Sequence, residues 1–170
     1  MRKRIRFWQR LGGIVLAVML LATLTLPASA LDTYAASFIA LCDGQQWFID
    51  EIERLLNTEQ KSINTLQSGA DLRNIVSLAY SNSATRLPPA VGELTELREI
   101  FMPNNKLTSI PEELFKLPKL QVIDFSHNTV AGQIPEGFNA VNFPALKVLL
   151  LWDNQLAGAI PDDLYTLTGL

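Results

Sequence analysis

The chain has 170 residues, with 14 Lys+Arg against 17 Asp+Glu, 48% hydrophobic residues and one cysteine, Cys42. Such a length suffices for a small domain with its own core. One cysteine excludes an intramolecular disulfide, and an acidic balance argues against nucleic acid or an anionic membrane as partner.

Met1 to Arg10 carries Arg2, Lys3, Arg4, Arg6 and Arg10 with no acid, and Leu11 to Leu26 is almost wholly apolar. Pro27–Ala28–Ser29–Ala30 follows, with small residues where a signal peptidase reads. Residues 1–30 therefore read as a secretory signal peptide, cut between Ala30 and Leu31. The apolar run falls short of the ~20 residues a spanning helix needs, so no membrane insertion is expected after cleavage. No arginine pair marks a twin-arginine signal, and Leu41 precedes Cys42 where a lipoprotein site wants a small residue. The expected location is secreted or cell-surface, extracellular or periplasmic. Five basic residues and no acid leave with the peptide, so the remainder carries a net charge of −8. It also lacks an Asn-x-Ser/Thr acceptor, which argues against a glycosylated animal or plant ectodomain. Cys42 reads as a packed residue, because no basic neighbour would lower its pKa.

Residues 31–71 read as a lead-in and a helical N-terminal cap. Leu31 to Leu41 has small residues, no clear period and the character of a linker. A helix is then predicted, with Asp43 as its cap and Gln46 completing a capping box. Phe48, Ile52, Leu55 and Leu56, joined by Trp47 and Ile49, form an apolar stripe opposite Asp50, Glu51, Glu53 and Arg54. Asn57 to Ala70 is polar, with Ile63 and Leu66 as anchors, and Ser68–Gly69–Ala70–Asp71 reads as a turn.

From residue 72 to 170 one pattern recurs about four times. The clear copies are Leu97–Ile100–Met102–Asn105–Leu107–Ile110–Pro111, Leu120–Ile123–Phe125–Asn128–Val130–Ile134–Pro135 and Leu146–Leu149–Leu151–Asn154–Leu156–Ile160–Pro161. A degenerate first copy, Leu72–Ile75–Leu78–Tyr80, is placed 22 residues before Leu94–Leu97–Ile100–Met102. A rival register would turn Val76 and Leu78 inward. The alternation Ile100/Met102, Ile123/Phe125 and Leu149/Leu151 predicts one short strand per coil, stacked into a parallel sheet. Asn105, Asn128 and Asn154 stand where each coil turns inward, so their amides are expected to form a structural ladder to buried backbone groups. Pro111, Pro135 and Pro161 start the return segments, of which Glu112–Leu117 and Asp162–Leu167 read as single helical turns. Gly132 and Gly158 allow tight backbone.

These residues resemble the leucine-rich repeat family. Asn128–x–Val130–x–Gly132–x–Ile134–Pro135 and its counterpart from Asn154 look like the NxLxGxIP form of plant receptor ectodomains and exported bacterial proteins. Residues 97–117 resemble the shorter typical form. The helical front end looks like the cap of bacterial surface members. The resemblance implies an α/β solenoid with a parallel β-sheet on the concave face and a helical N-terminal cap. It also implies binding, because a solenoid offers a surface. Leu170 falls where a further repeat would begin, without a polar closing coil, so the array is expected to belong to a longer protein or to have lost a downstream region.

The concave columns are expected to be Phe101, Asp124, Leu150; Pro103, Ser126, Trp152; and Asn104, His127, Asp153, flanked by Glu99, Val122 and Val148. Phe101, Leu150 and Trp152 are apolar without being needed inside, which marks contact surface. Ser126, His127 and the nearby aspartates invite a catalytic reading. That reading fails: neighbours on a regular strand point apart, and no cavity or oxyanion donors accompany them. One histidine and scattered aspartates lack metal-site spacing, so no metal or cofactor is expected. The expected function is a noncatalytic, exported module that binds a protein or peptide on the concave face. A carbohydrate or cell-wall binder, with Trp152 and Tyr80 stacking on sugars, is the alternative. So is the recognition part of a larger surface receptor or enzyme.

Overall fold

The structure is a computed structural model that describes residues 34–170, and the signal peptide expected over 1–30 lies outside the described residues. Two α-helices lead the chain, α1 (Tyr34–Leu41) and α2 (Gln46–Asn57). Short strands and single 3-10 turns follow: β1 (Ser77–Ala79), β2 (Glu99–Phe101), β3 (Val122–Asp124), β4 (Ala131–Gly132), β5 (Val148–Leu150) and β6 (Gln155–Leu156). The order β1-β2-β3-β5 forms one parallel sheet. It is an α/β leucine-rich repeat solenoid.

Register follows the hydrophobic pattern. Leu78 pairs with Ile100, Ile100 with Ile123, and Ile123 with Leu149. The preferred register of the first repeat is therefore the observed one, and Val76 is exposed. Leu78, Ile100 and Ile123 point inward with no exposure, as do Met102 and Phe125 one pleat further on. Each full coil then stops its strand abruptly, because Asn104, His127 and Asp153 take φ of 56°, 52° and 55°. Asn, His and Asp are the side chains that tolerate this left-handed turn best after glycine. Ser126 and His127 thus lie beyond β3, in the turn, and not on a strand as the sequence suggested.

The return segments are 3-10 turns, Pro89–Glu93, Glu112–Lys116 and Asp162–Thr166. Leu114 and Leu117 are both buried at a spacing of three, which a helix with three residues per turn places on one face. After Pro135 the longer insertion replaces such a turn with an aromatic cluster. Phe138 and Phe143 stack at 5.0 Å, and Phe115 meets each edge-on at 5.7 Å. Gly137 sits at φ +102, where an added Cβ would come within 2.9 Å of the Phe115 ring. The two glycine-containing copies also form a second, two-stranded parallel sheet, pairing Ala131 with Gln155 and Gly132 with Leu156.

Two expectations for the front end are corrected. Residues 34–41 are helix and not linker: Ala35, Phe38 and Cys42 recur at helical spacing and all are buried. Asp43 does not cap α2. With Gly44 it takes positive φ, 49° and 68°, to reverse the chain between the helices. Gln45 occupies the cap position without a side-chain capping bond, its side-chain oxygen accepting from Trp47 Nε1 at 3.3 Å, and Gln46 donates to Asp50. The Asp43 carboxylate faces Arg86 at 2.6 Å, tying the helical turn to the repeats. Phe48, Ile52 and Leu56 of α2 join the same continuous core as the strand residues. The Trp47 ring lies 4.6 Å from that of Tyr80, next to β1. Tyr34 donates to Glu93 at 3.1 Å, and burial, followed by that bond, pushes its pKa to about 12.

Candidate functional site

The asparagines are built into the backbone. Asn105 Oδ1 accepts from the Asn82 and Ala84 amides, and its Nδ2 donates to the Tyr80 and Pro103 carbonyls. Asn128 accepts from the Leu107 amide and donates to the Met102, Phe125 and Ser126 carbonyls. Asn154 accepts from the Val130 amide and donates to the Phe125, Leu151 and Trp152 carbonyls. Each amide therefore binds one coil to the preceding one.

The strands display the outward residues in rows. Along β5 and just past it, Val148, Leu150 and Trp152 are 37%, 36% and 56% exposed, and period-two geometry puts them on one face. Phe101 and Pro103 are half-buried. Asp124 is half-buried and accepts from the Ser126 hydroxyl at 2.6 Å and the Ser126 amide at 2.9 Å. Ser126 is only 2% exposed, so its place among the expected contact residues is withdrawn. Its side chain serves the turn, because the short Asp124 carboxylate folds back over the strand end.

At the other end of the rows, His127 and Asp153, which the repeat spacing placed in one column, are joined by Trp152. His127 Nδ1 lies 2.6 Å from Asp153 Oδ2, and the Trp152 ring meets the imidazole edge-on at 4.1 Å. Two left-handed turns in adjacent coils bring these side chains together, while Asn104 stays exposed one coil further back. The serine is engaged by Asp124 and the histidine by Asp153, so no nucleophile–base pair is assembled. Among the described residues, no group of three His, Cys, Asp or Glu is arranged to hold a metal ion. Tyr80, proposed above to stack on sugars, already has Trp47 against its ring. Cys42 is fully buried, bonds the Phe38 carbonyl and has its pKa pushed to about 12 by desolvation.

With this geometry described, the comparisons are direct. Residues 95–156 match the family model described as leucine rich repeat. The volume-regulated anion channel subunit LRRC8E of Xenopus laevis is 37% identical over 99 residues, 57% of this chain and 12% of that protein. Lumican of Rattus norvegicus is 36% identical over 92 residues, 51% of this chain and 26% of lumican. A leucine-rich repeat protein of Leptospira interrogans superposes with a TM-score of 0.52 at 27% identity, covering 58% of this chain and 24% of that one. The chain thus spans between 12% and 26% of these proteins' lengths, and its residues 95–156 carry leucine-rich repeats.

Proposed function

We propose that this chain is an exported, noncatalytic recognition module that binds a protein or peptide on its concave strand face. The observation that carries the reading is the row Val148, Leu150 and Trp152, with Phe101 in line two strands away, apolar side chains outside the core and on one face of a parallel sheet. Large apolar groups in a cluster are the usual anchors of protein contacts, with tryptophan the most enriched. The relatives support binding over chemistry, since a channel subunit and lumican share with this chain a repeat surface. Among the described residues no helix is long and apolar enough to cross a membrane. Three strand intervals of ~4.8 Å make a strip about 15 Å wide, suited to a peptide or one edge of a protein.

The test is selection from a displayed random-peptide library. Selected peptides should bind the full chain, and Leu150→Ala with Trp152→Ala should weaken them by about 30-fold, the scale of a hot spot. The variant's circular dichroism and melting temperature should stay close to the parent's. Selected peptides that ignore both substitutions would place recognition elsewhere. A second reading is glycan binding, favoured by the exposed Trp152 face beside the polar pair His127 and Asp153. Retention on a glycan array without any peptide selection would favour it.

A further inference from the structure

The sheet has two unlike rims. Where the strands start, Arg98, Gln121 and Lys147 stand one above another, because the Gln121 amide bonds the Arg98 carbonyl at 2.7 Å and the Lys147 amide bonds the Gln121 carbonyl at 2.9 Å. Arg98 and Lys147 are exposed and each immediately precedes a strand residue of the concave face, Glu99 and Val148. Arg73 and Lys119 lie on the same rim. Lys119 bonds Glu96 at 2.6 Å, and its hydrogen bond, with the charges of Lys119, Arg73 and Arg98, holds the Glu96 carboxyl below the usual range. Three cations, Arg73, Arg98 and Lys119, therefore gather about Glu96, although residues 34–170 carry more carboxylates than cations. Arg73, Arg98 and Lys147 have no ion-pair partner among the described residues. At the opposite rim the corresponding side chains are Asn104, His127 and Asp153, with no fixed cation among them.

We infer that the concave face takes an extended acidic peptide, its carboxylates on the Arg98–Lys147 rim and an apolar side chain over Leu150 and Trp152. This deepens the protein-binding reading above and rests on it. Lys147 stands at the rim just before β5, and the outward row Val148, Leu150 and Trp152 begins beside it. The complementary ligand sets carboxylates on the rim and an apolar side chain next to them. Arg98 and Lys147 are two coil steps apart, about 10 Å at the backbone, which a peptide in the polyproline II conformation spans with acids three residues apart on one face. Exposed ion pairs contribute little individually, so the rim sets which peptide is chosen and the apolar row supplies most of the affinity.

The experiment uses the full chain and three synthetic 12-residue peptide pools, each with one Leu or Trp anchor and two variable charge positions three residues apart. One pool carries Asp or Glu there, one Asn or Gln, and one Lys. Binding is read by biolayer interferometry at low and high salt. The acidic pool should bind about fivefold more tightly than the amide pool at low salt, a preference that screening removes at high salt. Arg98→Gln with Lys147→Gln should bring the acidic pool down to the amide pool's affinity. Equal binding of the acidic and basic pools, or a preference that survives the double variant, overturns the inference while leaving peptide binding intact. Absence of any binding sensitive to Trp152→Ala would instead overturn the protein-binding reading itself. Capture by phosphatidylserine vesicles with no acidic-pool preference would assign the rim to lipid and also overturn it.

Discussion

Asn105, Asn128 and Asn154 show how one side chain can serve two coils. A buried amide lost from such a position leaves several backbone groups without partners, and each unsatisfied group costs more than the bond itself contributes. Asn105 and Asn128, at 7% and 8% exposure and with four bonds each, are more enclosed than Asn154. Asn128→Ala should therefore lower stability by about 3 kcal/mol, against about 1 kcal/mol for the more open Asn154→Ala, as read by urea denaturation. Equal losses would mean that burial does not set the cost. Cys42 supplies the pH dependence. Its folded pKa, pushed to about 12, lies above the unfolded thiol value, so the stability it contributes is present at neutral pH and is lost as pH rises from about 9 toward 12. Tyr34 acts in the same direction over the upper part of that window. Cys42→Ala should flatten the alkaline fall in melting temperature, and an unchanged slope would remove the thiol from the account.

Among the elements, α1 was missed for a definite reason. Its exposed side is made of Ser37, Ala40 and Leu41, with one short polar side chain and no charge, so the buried spacing Ala35, Phe38, Cys42 has no strongly polar opposite face to define it. α2 was legible because acids and Arg54 line the side away from Phe48, Ile52 and Leu56. Burial and not propensity holds α1, and Phe38 is its main anchor at 1% exposure. Phe38→Ala should cost about 3–5 kcal/mol, read by chemical denaturation and by loss of the 34–41 helical signal in hydrogen exchange. A loss below about 1 kcal/mol would show that the helix is an appendage. The aromatic cluster of the long insertion was hidden similarly. Phe138 and Phe143 are separated by Asn139–Ala140–Val141–Asn142 and meet because Asn139 turns the loop, accepting from the Val141 and Asn142 amides and donating to Asp163 of the next coil.

At the scale of the molecule, the described residues share one continuous hydrophobic core, from α1 to the last coil. Neighbouring coils stabilise one another, so coils flanked on both sides should open least often. Hydrogen exchange should be slowest in β2 and β3, the inner strands of the sheet, and faster in β1 and β5. Uniform protection would indicate that the array opens as a single unit. The repeat pattern determined the class of fold, the strand register and the inward residues, because period-two alternation and the spacing of Leu, Asn and Pro are local properties repeated in every coil. It also identified Leu150 and Trp152 as apolar residues the core does not need. Only the tertiary structure decided that Ser126 is enclosed by its own turn, that Tyr80 is covered by Trp47, and that Trp152 meets His127. It alone brought Arg73, Arg98, Lys119 and Lys147 to one rim. Apart from the Ser126 turn, which is local, those relations join residues 21 to 74 positions apart, and such distances are closed by the stacking of coils.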